Sequence, residues 1–205
     1  MIKFVKTFCI GMLLLAANSL VAGDFEESRF NQRIVSLNTG YVFSGSGDCW
    51  GIGNEISHLK SITSWLFHRE SMEGWIINGS SWIDGGFENQ TGVNLTADIG
   101  IAPFKSGNRI FYLAGGGIIG FVSNISPNGG STLNYTSNGV TQTLTKSTYS
   151  AEGYFTPGFS LSAGYITKVN SKIYLNLRAQ TKVYNSGEML STLSIGIGLN
   201  ALKKQ

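Results

Sequence analysis

Val93-Asn94-Leu95-Thr96-Ala97-Asp98-Ile99-Gly100-Ile101 alternates between apolar residues and polar or small ones. Successive side chains of an extended strand point to opposite faces, so this stretch sorts Val93, Leu95, Ala97, Ile99 and Ile101 onto one side. Asn94, Thr96, Asp98 and Gly100 take the other. A helix would scatter the same residues around its axis. The period is two, and the segment is a strand.

The same period recurs on both sides of it. Ile173-Tyr-Leu-Asn-Leu-Arg178-Ala-Gln-Thr-Lys182-Val183 repeats it, as do Leu193–Ala201, Phe159–Tyr165 and Val35–Phe43. Turn formers separate the strands, as in Pro103–Asn108 and Val169–Lys172. The pattern predicts eight strands, near 33–44, 50–59, 62–77, 91–102, 109–124, 152–168, 172–184 and 190–201. The second and third alternate least cleanly, and a short helix or bent strand is an alternative near Trp65–Glu70. Gly115-Gly116-Gly117 inside an apolar run points to a kink or a close backbone approach. The stretches 78–90 and 126–150, rich in Ser, Thr, Asn and Gly, read as the two longest loops.

The amino terminus carries Lys3 and Lys6 without an acid, then an apolar run from Phe8 to Ala17 and a small-residue exit. This is the pattern of a secretory signal peptide, with the cleavage region at Ala22 and Gly23. The expected division is 1–23 as signal peptide and 24–205 as one barrel domain. Removing the leader takes two lysines and lowers the formal charge from +3 to +1. A near-neutral chain gives no reason to expect direct nucleic-acid binding. Cys49 is the one cysteine left after cleavage, so no disulfide framework is expected within the chain.

No second apolar stretch approaches the length of a membrane-spanning helix. Such a chain can span a bilayer only as a closed barrel. A soluble barrel also alternates, but it turns its apolar face inward and needs a charged exterior. Here the face opposite the aliphatics is mostly Ser, Gly, Asn and Thr, and only 13% of the sequence is charged. Small polar residues suit the narrow interior of an eight-stranded barrel. The expected fold is all-β: an eight-stranded antiparallel up-and-down transmembrane β-barrel after an N-terminal signal peptide. It belongs in a bacterial outer membrane, in contact with outer-membrane lipid. Glu55, Asp98, Arg178 and Lys182 fall on the polar faces. They either form a network in the lumen or lie solvated at the rim. A lumen filled by side chains disfavours a general porin.

No catalytic motif is present. Gly115-Gly-Gly117 precedes no helix, and Gly45-Ser-Gly47 lacks nucleophile-elbow spacing. His58 and His68 stand ten residues apart with no cysteine beside them. No metal site and no cofactor are expected from that spacing. The remaining enzymatic alternative uses His58 or His68 with Glu70 or Glu73 near one rim. It is secondary to a non-enzymatic role.

Phe155-Thr-Pro-Gly-Phe-Ser-Leu-Ser-Ala-Gly164, followed by Lys172-Ile-Tyr-Leu-Asn-Leu-Arg178-Ala-Gln-Thr-Lys182-Val and Ser194-Ile-Gly-Ile-Gly-Leu199, resembles the TraO family of conjugal transfer proteins. That family is carried by conjugative transposons of Bacteroidetes. The resemblance spans about 34–200 and is densest from 155 onward. It implies an outer-membrane component of a conjugative apparatus, structural or interacting in role. Other transfer-apparatus or envelope proteins would then be its partners. Outer-membrane barrels commonly end their last strand on an aromatic residue, whereas this chain runs on through Ala201-Leu-Lys-Lys-Gln205. A surface binding or adhesion barrel unrelated to conjugation is the alternative function.

Overall fold

The computed structural model describes residues 33–45, 49–80, 87–106, 108–137 and 140–201. Residues 1–32, with the expected signal peptide and its cleavage region at Ala22 and Gly23, and the last four residues lie outside the described residues. Eight strands follow in order: β1 (Arg33–Ser44), β2 (Cys49–Ser61), β3 (Leu66–Ser80), β4 (Phe87–Ser106), β5 (Arg109–Ser137), β6 (Val140–Lys168), β7 (Ile173–Tyr184) and β8 (Met189–Asn200). Each strand pairs with the next in antiparallel fashion, and β1 pairs with β8 to close the barrel. The closing seam runs from Ile34 opposite Asn200 to Ser44 opposite Leu190. Closure leaves no bare edge in the wall.

The alternation predicted from the sequence is the geometry of the wall. On β4, Val93, Leu95 and Ile99 are exposed outward, whereas Asn94, Thr96 and Asp98 are buried inward. Leu37, Ile52, Ile119, Leu161, Ile195 and Ile197 continue the outer apolar face on other strands, each more than half exposed. Aliphatic side chains exposed in a continuous belt, around polar side chains that are buried, are the inverse of a soluble barrel. The exterior is matched to hydrocarbon. Aromatic residues flank the belt at both ends. Phe121 and Phe155 pair at 5.0 Å towards one end, and Phe104 and Phe111 at 6.0 Å towards the other.

The two ends differ. At one end the connections span 62–65, 107–108 and 169–172, and both the start of β1 and the end of β8 lie there. At the other end β5 and β6 run far past their neighbours. Short turns mark the periplasmic side of such barrels, and long excursions mark the outer side.

Three expectations are corrected. Residues 126–150 are not a loop. β5 and β6 stay paired from Arg109–Thr167 up to Ser137–Val140, with one register shift between Pro127 and Gly130. The Ser and Thr content that reads as loop also suits a polar two-stranded ribbon, because Thr is a good strand former. Likewise, 78–90 contains strand at both ends, since β3 reaches Ser80 and β4 begins at Phe87. The third strand starts at Leu66 rather than 62. The Thr63 hydroxyl accepts hydrogen bonds from the Leu66 and Trp65 amides at 3.0 and 3.3 Å. The Ile62 amide bonds the Leu66 carbonyl at 2.8 Å. This closes a tight turn over 62–65 and leaves no helix there.

Candidate functional site

Along its axis the lumen is layered. Near the periplasmic end Ile34, Leu59, Phe67, Ile110, Tyr112 and Ile166 pack into one apolar cluster. Near the outer end Val42, Trp75, Ile77, Ile118, Val122 and Leu190 form a second. Phe67 and Tyr112 meet edge to face at 5.4 Å. Tyr112 fits because it lies over Gly164, where a Cβ would stand 2.2 Å from the ring. The space between the clusters is polar, and six buried charges occupy it.

These charges form three ion pairs. Arg178 on β7 grips Glu55 on β2 with two parallel hydrogen bonds, Nη1 to Oε1 at 2.6 Å and Nη2 to Oε2 at 2.5 Å. Arg69 on β3 pairs with Asp98 on β4, and Lys182 on β7 pairs with Glu73 on β3. All six residues are at most 3% exposed. Three acids against three bases make this layer neutral, which a low-dielectric interior requires.

Hydroxyls and amides complete the layer. Asn38 donates to Glu55 Oε1 at 3.0 Å and accepts from Asn176 at 3.0 Å. Ser160 donates to Asp98 at 2.5 Å, and Arg69 donates to Ser162 at 3.3 Å. Thr192 donates to Glu73 at 3.4 Å. Above them Tyr184 donates to Asn94 at 2.8 Å. Every strand except β5 is therefore tied into this layer.

Glu55, Asp98, Arg178 and Lys182, singled out in the sequence, all lie in this layer, but only Glu55 and Arg178 bond each other. Asp98 and Lys182 take Arg69 and Glu73, which sequence reading missed as lumen residues. The signal was available in Phe67-x-Arg69-x-Ser71-x-Glu73-x-Trp75, an inward series on odd positions. His68, Glu70 and Met72 on the even positions disguised it. Tyr184, at the end of β7, faces inward and belongs to the outer cluster.

The outer mouth is pinned by Glu188, in the short connection between β7 and β8. Its Oε1 accepts from Tyr154 at 2.5 Å and from Gln90 at 3.1 Å, so residues of β4 and β6 hold it. A lumen filled in this way holds strands together, and among the described residues buried apolar side chains occupy it at two levels.

Two features lie outside the lumen. One is the β5–β6 ribbon. β4 last pairs with β5 at Asn89–Ile125, and β7 pairs with β6 only from Gly158 onward. Beyond Ile125 the ribbon runs twelve residues to Ser137, about 40 Å of strand. Leu133 is 63% exposed and Tyr149 is 47% exposed on it. Thr143 bonds Asn134 at 2.8 Å across it, and Thr148 bonds the carbonyls of Asn128 and Gly129 at 3.1 and 3.0 Å. The ribbon is thus internally braced.

The other feature is on the wall itself. His58 and His68 do not face the lumen. His58 is opposite Glu70 in the β2–β3 register, and Lys60 is opposite His68. His58 Nδ1 lies 3.8 Å from Glu70 Oε2, and His68 Nε2 lies 3.4 Å from Glu70 Oε1. Glu73 points the other way, into the lumen, so it cannot serve either histidine.

No protein-family model matches the sequence, and no curated protein is significantly similar to it. Solved structures are similar in fold. Neisserial surface protein A matches with a TM-score of 0.58 and 12% identity, over 84% of this chain and 98% of that one. The attachment invasion locus protein Ail of Yersinia pestis matches with a TM-score of 0.51 and 11% identity, over 83% of this chain and 99% of that one. Ail in complex with the heparin analogue sucrose octasulfate matches equally well, with a TM-score of 0.51 and 12% identity. Fold, lipid-facing belt and layered interior together make this chain a small eight-stranded barrel of the bacterial outer membrane.

Proposed function

We propose that this barrel is a surface-binding protein and that the β5–β6 ribbon is its recognition element. The observation that carries this reading is the ribbon's length. Residues 126–150 continue the sheet well past the neighbouring strands, and among the described residues no other strand pairs with either long edge of that segment. Unpaired edges present amide and carbonyl groups to which an extended polypeptide can add as a further strand. Between 126 and 150 the only charged residue is Lys146. Such a surface is ill suited to a polyanion, whose capture needs clustered Lys and Arg. It favours a polypeptide partner held by main-chain hydrogen bonds and by anchors such as Leu133 and Tyr149.

The sealed barrel is then a rigid mount. Its ion-pair layer ties in β6 through Ser160 and Ser162, β5 is held by pairing with β4 and β6, and lipid holds the wall. The attachment role in the printed name of Ail is compatible with this reading, as is a non-enzymatic mechanism. A structural part in a conjugative apparatus, implied by the resemblance to transfer proteins, would use the same ribbon with envelope proteins as partners. No sequence comparison supports that resemblance, so adhesion is preferred.

The deciding experiment replaces 129–148 with a tight turn. Cells displaying the full chain should adhere to immobilised matrix proteins, and cells displaying the shortened chain should not, at equal surface abundance. Equal adhesion by both would remove the ribbon from the mechanism. Loss of plasmid or transposon transfer with adhesion untouched would favour the conjugative role.

A further inference from the structure

We propose that His58, His68 and Glu70 form a zinc site on the lipid-facing wall, at its periplasmic edge. His58 stands ten residues before His68 in the chain but beside His68 and Glu70 in the sheet. His68 and Glu70 are two residues apart on one strand and share a face, and the β2–β3 register sets His58 directly opposite Glu70. One ligand atom from each lies within 4.8 Å of the others. Ligands around a tetrahedral zinc stand about 3.4 Å apart, from metal–nitrogen bonds of about 2.0–2.1 Å. His68 Nε2 already lies at that separation, 3.4 Å, from Glu70 Oε1. His58 Nδ1 lies 3.8 Å from the other oxygen, Oε2, so one shared ion needs rotamer adjustments of His58 and Glu70 that draw the three ligand atoms together from within 4.8 Å. Two imidazoles and one carboxylate leave a fourth position for water, the donor set of a zinc site with an open coordination place.

The setting supports a metal over a chance grouping. On β4 the outward positions stay apolar down to Ile101, whereas on β2 and β3 the belt stops at Ile56 and Met72. His58, His68 and Glu70 therefore occupy a notch in the belt, with exposed Ile62 and Trp65 in the turn below. A carboxylate at this level is costly near hydrocarbon unless a cation holds it. The site is only a few residues from the periplasmic turn, so an ion reaches it from that side. Lys60, opposite His68, is the one nearby basic side chain on this face of β2 and β3 among the described residues. Its charge opposes metal binding, and its flexible stem lets the ammonium swing towards the periplasm.

Separation along the chain does not reveal this grouping. Ten residues separate the histidines, but a hairpin with its turn at 62–65 brings them back to adjacent rungs.

The test uses the untagged mature chain with Cys49→Ser, folded in detergent micelles. Zinc is titrated against a chromophoric chelator, and Co(II) is used as a spectroscopic substitute. One equivalent of Zn(II) should bind, and Co(II) should give the intense visible bands of tetrahedral coordination. His58→Ala, His68→Ala and Glu70→Gln should each weaken binding roughly 100-fold or more, beyond what loss of a group supporting a ligand costs. Lys60→Ala should tighten it. Each variant is checked for heat-modifiable gel migration, so that loss of metal is not confused with loss of fold. Absence of uptake by the folded parent, or uptake unchanged in all three ligand variants, would overturn the proposal. It stands apart from the ribbon, and shortening 129–148 should leave zinc binding intact.

Discussion

Arg178 and Glu55 meet across the barrel axis through two parallel hydrogen bonds, although their strands, β7 and β2, are not neighbours in the wall. The pair is a strut. It joins opposite sides of the cylinder in a layer where every charge has an opposite. Removing one end alone leaves a buried charge uncompensated, which costs about 3–5 kcal/mol. Arg178→Met should therefore lower the unfolding free energy in detergent by about that amount. Arg178→Met with Glu55→Met should recover most of it, because apolar groups of similar volume often replace a buried pair without loss. Urea titration followed by tryptophan fluorescence measures both. A double variant no more stable than the single one would contradict the strut.

The two apolar clusters predict a silent barrel. Purified protein in a planar lipid bilayer should give no stepwise ion conductance. Phe67→Ala opens only the periplasmic cluster and should remain silent, since Trp75, Ile77 and Leu190 still close the outer end. Conductance steps in the parent protein would show that the lumen is not sealed.

Two adjacent glycines should behave differently. A Cβ on Gly116 would stand 1.9 Å from the Ala97 carbonyl oxygen, whereas one on Gly117 meets nothing within 4 Å. Gly116→Ala forces the backbones of β4 and β5 apart and should destabilise by about 1–3 kcal/mol. Gly117→Ala points outward and should be close to neutral. Paired unfolding curves decide it, and equal effects would count against this register.

The lipid-facing belt sets the sign of an arginine substitution. Leu95 is 57% exposed on the outer face of β4. Leu95→Arg should cost about 2–4 kcal/mol in lipid vesicles if it lies near the mid-plane. The same change on the surface of a soluble barrel would cost almost nothing. Folding efficiency into vesicles, followed by gel migration with and without heating, reads the difference.

Much of this was legible in the sequence. Five strands declared themselves because one face meets lipid and the other meets small polar residues, so each alternates cleanly. The β2 and β3 strands were harder. Their outer face carries His58, Lys60, His68 and Glu70, and their inner face carries Glu55, Arg69 and Glu73, so polarity no longer separates the sides. The partners of Asp98 and Lys182 were hidden for the same reason, since Arg69 and Glu73 sit in that ambiguous stretch. The outer ribbon was read as loop because both its faces are polar, and a strand with two wet faces has no alternation to read. His58 and Glu70 were brought together by register, which depends on the four residues of the 62–65 turn rather than on either strand.

The most direct test of the whole account returns to β4. In a Cys49→Ser background, single cysteines are placed at each position from 93 to 101 and labelled with a fluorophore in protein folded into vesicles containing brominated lipid. Quenching is predicted to alternate, strong at 93, 95, 97, 99 and 101 and weak at 94, 96, 98 and 100. The opposite phase, or quenching at no position, would contradict a barrel that turns its aliphatic face to the membrane.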